Sequence, residues 1–319
     1  MGGAVILTYG ETMAALKSAT AGPLRMGGRL ALSMAGAEST VAIGVGRLGG
    51  TARWVGVVGD DELGSLITMR LRAEGVLTDG VVTTDAAPTS LIVKERRTAA
   101  VTRVSYYRRH GAGALLAPAH VEEAHVREAR VLHVTGITPA LSRSAGDAVR
   151  KAVRLARELG VTVSLDVNYR SALWDAATAR PVLTELARDA DVLFAGLSEA
   201  AILTGGPAAG PEEAAARLAA LGPRQVVVKL GAQGALAYQD GSAVRSPVIS
   251  VPELDPVGAG DAFAAGFLTE LASGRTPAEC LETAVRSAAV NVACEGDWEG
   301  LPTRRELAVL TRGDDPVLR

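Results

Sequence analysis

Lysine is scarce in this 319-residue chain: Lys17, Lys94, Lys151 and Lys229 are the only four among 33 Lys and Arg residues. Any catalytic or phosphate-binding lysine must therefore be one of these. The surplus of Arg and Ala reads as compositional bias rather than chemistry. Cysteine is scarcer still. Cys280 and Cys294 have no second pair, which argues against a disulfide framework. His110, His120, His125 and His133 show no ligand spacing, so no zinc site is readable. Aromatic residues make up 3%, and Trp54, Trp174 and Trp298 are too scattered to form a base-stacking platform. The formal net charge is −2, without the positive field that a nucleic-acid or anionic-membrane partner needs. No apolar run is long enough to span a bilayer, and residues 1–10 carry neither a basic n-region nor a cleavage site. The expectation is a soluble, cytoplasmic protein. None of the four lysines follows a glycine, which excludes a P-loop. His-Arg-Asp, Asp-Phe-Gly and Gly-x-Ser-x-Gly are absent, which argues against a protein kinase or an α/β-hydrolase.

What is present points to one α/β domain spanning 1–319. Hydrophobic residues make up 48% and charged residues 21%, enough for a large core and against global disorder. Short β-rich runs alternate with Ala/Leu/Arg stretches of helical period, as a mainly parallel sheet requires. Strands are expected at Val5–Tyr9, Arg53–Val58, Val131–Thr135, Val161–Asp166, Val192–Ala195 and Val226–Lys229. Helices are expected at Ala37–Leu48, Asp61–Glu74 and Ser144–Leu159. Beyond Asp255 the chain reads as mainly helical, over Gly260–Ala272, Pro277–Ala293 and Thr303–Arg312. Lys17–Met34 and Ser90–Tyr107 break the rhythm with period-2 alternation, the second as a hairpin around Arg97–Ala100. They are expected to form a small β-sheet lid from about 12–34 and 88–110. Gly44-Val-Gly-Arg-Leu-Gly49 spells a dinucleotide fingerprint, but it closes a helix and precedes a strand, so close helix packing is the better reading.

The most informative segment is Asp255-Pro-Val-Gly-Ala-Gly-Asp261, followed by small and apolar residues of helical character. Gly258, Ala259 and Gly260 form a tight turn, and the helix begins at or just before Asp261. Unpaired N–H groups of a first turn are a ready phosphate site. A carboxylate beside that site is poorly placed to bind an anion and well placed to accept a proton. The combination suits phosphoryl transfer to an alcohol, with amides holding the transferred group and Asp261 taking the hydroxyl proton. Aspartate also caps helices, and this spacing alone does not choose between the two roles.

Asp255–Asp261 resembles the second signature of the ribokinase-like (PfkB) carbohydrate kinases, usually Asp-Thr-x-Gly-Ala-Gly-Asp. The resemblance implies a three-layer α/β/α sandwich with a β-lid, Asp261 as catalytic base and Gly258–Gly260 as an anion hole. It extends to Gly296. Ala35-Gly-Ala-Glu-Ser-Thr40 resembles the first signature, Gly-Gly-Ala-x-x-Asn, and implies that Gly36, Ala37 and Thr40 line the sugar pocket. Gly59-Asp60-Asp61-Glu62-Leu63-Gly64 resembles the Gly-x-Asp-x-x-Gly turn. Lys229-Leu-Gly-Ala-Gln-Gly234 resembles a strand-turn that lies against ATP, placing Lys229, Gly231, Ala232 and Gly234 at the nucleotide with Val285. Glu199 sits where the family's Asn-x-x-Glu motif organises Mg²⁺ through water, with Gly196 replacing the Asn. ATP and Mg²⁺ are thus the implied cofactors, with a monovalent cation such as K⁺ also compatible. A homo-oligomer formed through the lid is expected on the same ground.

Within the family, Tyr106-Tyr107-Arg108, Asp166-Val-Asn-Tyr-Arg170 and Pro256 are similar to the 2-keto-3-deoxygluconate kinases. That resemblance implies substrate contacts from Tyr106, Tyr107, Arg108, Asn168, Arg170 and Asp297. Arg108 and Arg170 on separate elements can converge on a carboxylate, although most arginines are simply surface residues. Ala35, Thr40 and Ile92 depart from the close-family pattern and bear on the sugar's identity. The alternatives are a kinase for another sugar or a nucleoside, such as ribose, fructose or adenosine, or a non-catalytic sensor on the same fold.

Overall fold

The computed structural model describes residues 4–98 and 101–310. The chain starts with β1 (Val5–Tyr9), β2 (Met13–Ser18), β3 (Leu30–Ala35), α1 (Ala37–Arg47), β4 (Thr51–Val55) and β5 (Val57–Gly59). Next come α2 (Glu62–Ala73), β6 (Val82–Thr84), β7 (Leu91–Arg96), β8 (Thr102–Tyr107), α3 (Glu123–Glu128) and β9 (Ala129–Thr135). The third part holds α4 (Arg143–Glu158), β10 (Thr162–Asp166), α5 (Ala176–Asp189), β11 (Val192–Gly196), α6 (Leu197–Thr204), α7 (Pro211–Ala219) and β12 (Gln225–Lys229). The last has β13 (Ala235–Gln239), β14 (Ser242–Ser246), α8 (Ala259–Ala272), α9 (Pro277–Val292) and α10 (Arg304–Leu310).

Eight strands form the central sheet in the order β14-β13-β12-β11-β10-β9-β1-β4. β4, β1, β9, β10, β11 and β12 are mutually parallel, and β13 and β14 add an antiparallel edge. Successive strand residues feed two cores. Leu7, Leu132, Leu193 and Val226 pack under α4, α5 and α7, while Ile6, Val131, Phe194 and Val227 pack under α1, α8 and α9. Burial on both faces is why these strands read as unbroken apolar runs. α4 shows the complementary helical logic, burying Ala145, Ala148, Val149, Ala152 and Ala156 along one stripe below the Ser142 cap. Lys151 on its flank donates to the carbonyls of Pro118 (2.8 Å) and Val121 (3.0 Å).

The second sheet has the order β3-β2-β7-β8 and is built from the two alternating stretches. β2/β3 and β7/β8 are antiparallel hairpins, joined to each other through a parallel β2/β7 pairing. Its first strand starts at Met13, earlier than the alternation from Lys17 suggests. Residues 99 and 100 of the hairpin tip, and 311 and 312 of the expected last helix, lie outside the described residues.

Several elements differ from the sequence reading. The strand expected over Arg53–Val58 is two strands divided at Gly56, where a Cβ would lie 2.3 Å from the Trp54 ring. β5 then pairs with β6 in a separate ribbon. The helices α3, α5, α6 and α7 and the edge strands β13 and β14 have no counterpart in that reading. α5 carries Pro181 in its interior, which obscures the helical pattern in the sequence. The glycine-rich end of α1 serves helix packing, since a Cβ on Gly44 would sit 2.6 Å from Ala265 Cβ of α8.

Candidate active site

A cavity of about 970 Å³ lies between the lid and the carboxyl ends of β10, β11 and β12, where open α/β sheets place ligands. Asp166 closes β10 and Lys229 closes β12, on either side of β11. The Lys229 Nζ donates to both Asp166 oxygens, at 2.7 and 2.8 Å. Asn168 follows in a left-handed conformation, φ 37°, which Asn adopts more readily than most residues. Its Nδ2 stands 3.5 Å from Asp261 Oδ1.

Asp261 reaches this cluster from the first turn of α8. The residue that caps α8 is Gly258, not Asp261, and no side chain caps the helix. Gly258 has φ 80°, and a Cβ there would fall 2.0 Å from the Asp297 carbonyl oxygen, so only glycine fits the turn. Gly258, Gly260 and Asp261 all line the cavity. Burial pushes the Asp261 carboxyl up to about 7, and the Asp166 charge adds to the effect. Arg170 and Lys229 pull in the opposite direction. A carboxylate that titrates near neutrality beside free helix-terminal amides can accept a proton from an alcohol while the amides hold an anion.

The other expected site residues divide into two groups. Gly36, Ala37, Tyr106, Arg108, Asn168, Arg170, Glu199, Lys229 and Asp297 line the cavity together with Asp261. Arg170 is exposed at the wall, whereas Arg108 is largely covered and forms an ion pair with the buried Glu11. Tyr106 lies beneath the Arg108 guanidinium, 5.6 Å from ring centroid to Cζ. Glu199 accepts from the Tyr169 amide (2.8 Å) and the Gly196 amide (2.6 Å). Both its oxygens thus serve the backbone in this structure.

The remaining expected residues lie outside this lining. Tyr107 is 65% exposed and lies outside the lining, because alternation on β8 turns it away from the face that carries Tyr106. Thr40 is buried within α1 and does not reach the cavity. Val285 packs in the core beneath α8. Gly231, Ala232 and Gly234 lie beyond the lining, and the close approach at Gly234 is to Ser246 of β14, whose carbonyl oxygen would meet a Cβ at 2.1 Å. Ala259 is the first residue of α8, between two lining glycines.

Glu11, Glu38, Lys94 and Asp166 line or flank the cavity without having been singled out from sequence. Lys94 could have been found, because the alternation that sends Leu91, Val93 and Glu95 one way sends Ile92 and Lys94 the other. It pairs with Asp297. Two further lid cations meet the same loop, Lys17 at Glu299 (2.9 Å) and Arg96 at Glu295 (3.0 Å). Ser33 also donates to Glu299, at 2.6 Å. Among the described residues no cluster of three His, Cys, Asp or Glu side chains forms a metal cage. A magnesium ion that arrives with phosphates needs no such cage.

Comparisons with known proteins identify the family. A family model described as pfkB family carbohydrate kinase matches residues 4–304. A 2-dehydro-3-deoxygluconokinase of Bacillus subtilis (strain 168) is 35% identical over 311 residues, covering 95% of this chain and 94% of its own. The crystal structure of 2-dehydro-3-deoxygluconokinase from Thermotoga maritima superposes with a TM-score of 0.90 at 25% identity, covering 97% of this chain and 100% of that one. A proposed ribokinase II from E. coli, solved in complex with ATP and Mg²⁺, gives a TM-score of 0.88 at 26% identity, with 96% and 98% covered. With its sandwich, its lid and the turn ahead of Asp261 all in place, the chain belongs to the pfkB family of carbohydrate kinases.

Proposed function

We propose that this kinase transfers the terminal phosphoryl group of ATP to 2-keto-3-deoxygluconate (2-dehydro-3-deoxygluconate), giving the 6-phosphate. The observation that carries the reading is Asp261: an acid near neutrality, inside the cavity, next to the glycine-formed start of α8. Asp261 takes the proton of the 6-hydroxyl as the hydroxyl oxygen bonds to the terminal phosphorus and the bond from that phosphorus to the ADP oxygen breaks, releasing ADP. The amides of Gly258–Gly260 face the phosphoryl group, and Lys229 adds positive charge beside them. A Mg²⁺ arriving with ATP would be met by Glu199 through water and would neutralise phosphate charge. Arg108 and Arg170 are the cations for the sugar's carboxylate, and Gly36, Ala37, Asn168 and Asp297 shape the rest of the pocket. The sugar-acid kinases among its relatives support this choice over neutral sugars.

The same reading places the enzyme in the cytoplasm as a homo-oligomer joined through the lid, whose outer face exposes Leu30, Leu32 and Tyr107. No helix among the described residues is long and apolar enough to cross a membrane. A K⁺ requirement belongs to the same proposal and is tested by assay in K⁺-free buffer. The decisive experiment is a panel of sugar acids, neutral sugars and adenosine with ATP, scored by kcat/KM and by the position phosphorylated. The expected result is a preference for 2-keto-3-deoxygluconate of at least about a hundredfold. Equal turnover of ribose or fructose would refute the two-arginine assignment.

A further inference from the structure

The chain crosses between body and lid four times, near residues 10–12, at 36, near 85–90 and near 108–111. Glu11, in the first crossing, touches the other three. Its Oε1 accepts from Ser90 Oγ at 2.6 Å in the third crossing. Its Oε2 forms an ion pair with Arg108 Nη2 in the fourth. Its backbone oxygen lies 2.5 Å from where a Cβ on Gly36 would stand, in the second. Two glycines make room for this packing. A Cβ on Gly113 would fall 2.3 Å from Glu11 Cγ, and one on Gly111 would fall 2.0 Å from Ser90 Oγ. The Glu11 side chain is 1% exposed and the Arg108 side chain 12%.

A buried carboxylate in a sugar-acid pocket looks self-defeating, since it repels the substrate's charge. The geometry resolves the conflict. A guanidinium offers five donors on a rigid fork, so one edge can stay on Glu11 while another turns to a second carboxylate. An arginine held in this way spends little conformational freedom when the ligand arrives. Glu38 lies behind the same group: it accepts from Thr135 (2.7 Å) and Thr138 (2.6 Å), and Arg108 is among the charges that act on it.

We propose that Glu11 is a positioning residue, whose buried carboxylate fixes the Arg108 guanidinium at the cavity wall for the substrate carboxylate and ties it to the lid hinge. The inference rests on the sugar-acid reading above and adds a specificity determinant to it. Glu11 works through Arg108 and touches no reacting atom.

The test compares the parent, Glu11→Gln, Arg108→Gln and the double variant on 2-keto-3-deoxygluconate and on its C1 amide, which lacks the negative charge. For Glu11→Gln the KM for the acid should rise about tenfold, the loss expected when a charged hydrogen-bond partner is removed. Its kcat should stay within about threefold, and the KM for the amide within about twofold. The double variant should be no worse on the acid than Arg108→Gln alone, because the two residues act as one unit. Additive losses, or equal changes on acid and amide, would overturn the proposal. Should Glu11→Gln fail to fold, Ser90→Ala removes only the hydroxyl on Glu11 Oε1 and should move the acid's KM in the same direction by a smaller factor; no movement counts against the proposal. If the parent itself uses amide and acid equally, the sugar-acid reading falls and this inference with it. If the parent discriminates and Glu11→Gln discriminates as well, only the role of Glu11 falls.

Discussion

An ordinary aspartate, with a reference value of 3.8, would be fully ionised throughout the neutral range and would leave catalysis indifferent to pH there. Asp261 at about 7 behaves differently. As general base it must be unprotonated, so about half of the free enzyme is competent at pH 7 and about a tenth at pH 6. The kcat/KM for the sugar should therefore fall about tenfold per pH unit below 7 and level off above about pH 8. Direct measurement of ADP by chromatography avoids coupling enzymes with pH dependences of their own. Asp261→Asn should lower kcat by about 10²–10⁴-fold, the contribution of a positioned base. The same variant should gain stability. Because the folded value lies above the unfolded one, the native protein binds the proton more tightly, and stability declines as pH rises from about 4 through about 7. At about 1.4 kcal/mol per pH unit, the ionised carboxylate costs up to about 4 kcal/mol at pH 8, a cost that Asn does not carry. The Tm advantage of Asp261→Asn should thus be larger at pH 8 than at pH 5. A flat kcat/KM profile between pH 5.5 and 8, or a variant within about tenfold of the parent, would refute the assignment.

Further expectations follow from geometry. Gly258→Ala forces a Cβ against the Asp297 carbonyl at a positive φ, and should lower kcat by at least about a hundredfold with little change in secondary structure by circular dichroism. Gly44→Val drives α1 from α8 and should cost about 1–3 kcal/mol in urea unfolding. Tyr106→Ala should raise the KM for the sugar several-fold, whereas Tyr107→Ala, on the opposite face of β8, should leave kinetics within about twofold.

The scaffold and the turn before Asp261 were open to sequence reasoning because both are local. Val5–Tyr9 and the Asp255–Asp261 segment announce themselves through burial pattern and backbone requirement within a few residues. The elements without a counterpart are those whose meaning depends on distant partners. β13 and β14 gain their place by antiparallel pairing across the sheet edge, and α5 tolerates Pro181 in its interior. Tyr106, Tyr107 and Arg108 could not be placed as a unit from sequence, because neighbours on a strand point to opposite faces. Glu11 is opaque for the same reason as β13 and β14: its partners Ser90 and Arg108 are remote in sequence. The Gly59–Gly64 turn also means more in space than in sequence. Asp61 both caps α2 through the Gly64 amide (2.8 Å) and accepts from the Thr89 amide (2.8 Å) within the third crossing.

Every side-chain amine of the protein is occupied. Lys17 and Lys94 are held by Glu299 and Asp297, Lys151 by two carbonyls and Lys229 by Asp166. Two of the four bridge lid and body, and the other two hold the body to itself. Acylation by a neutral amine reagent should therefore report on these pairs: Lys94, whose side chain is 7% exposed, should react more slowly than Lys17, at 21%. With only four lysines in the chain, each acylated site can be read separately by mass spectrometry.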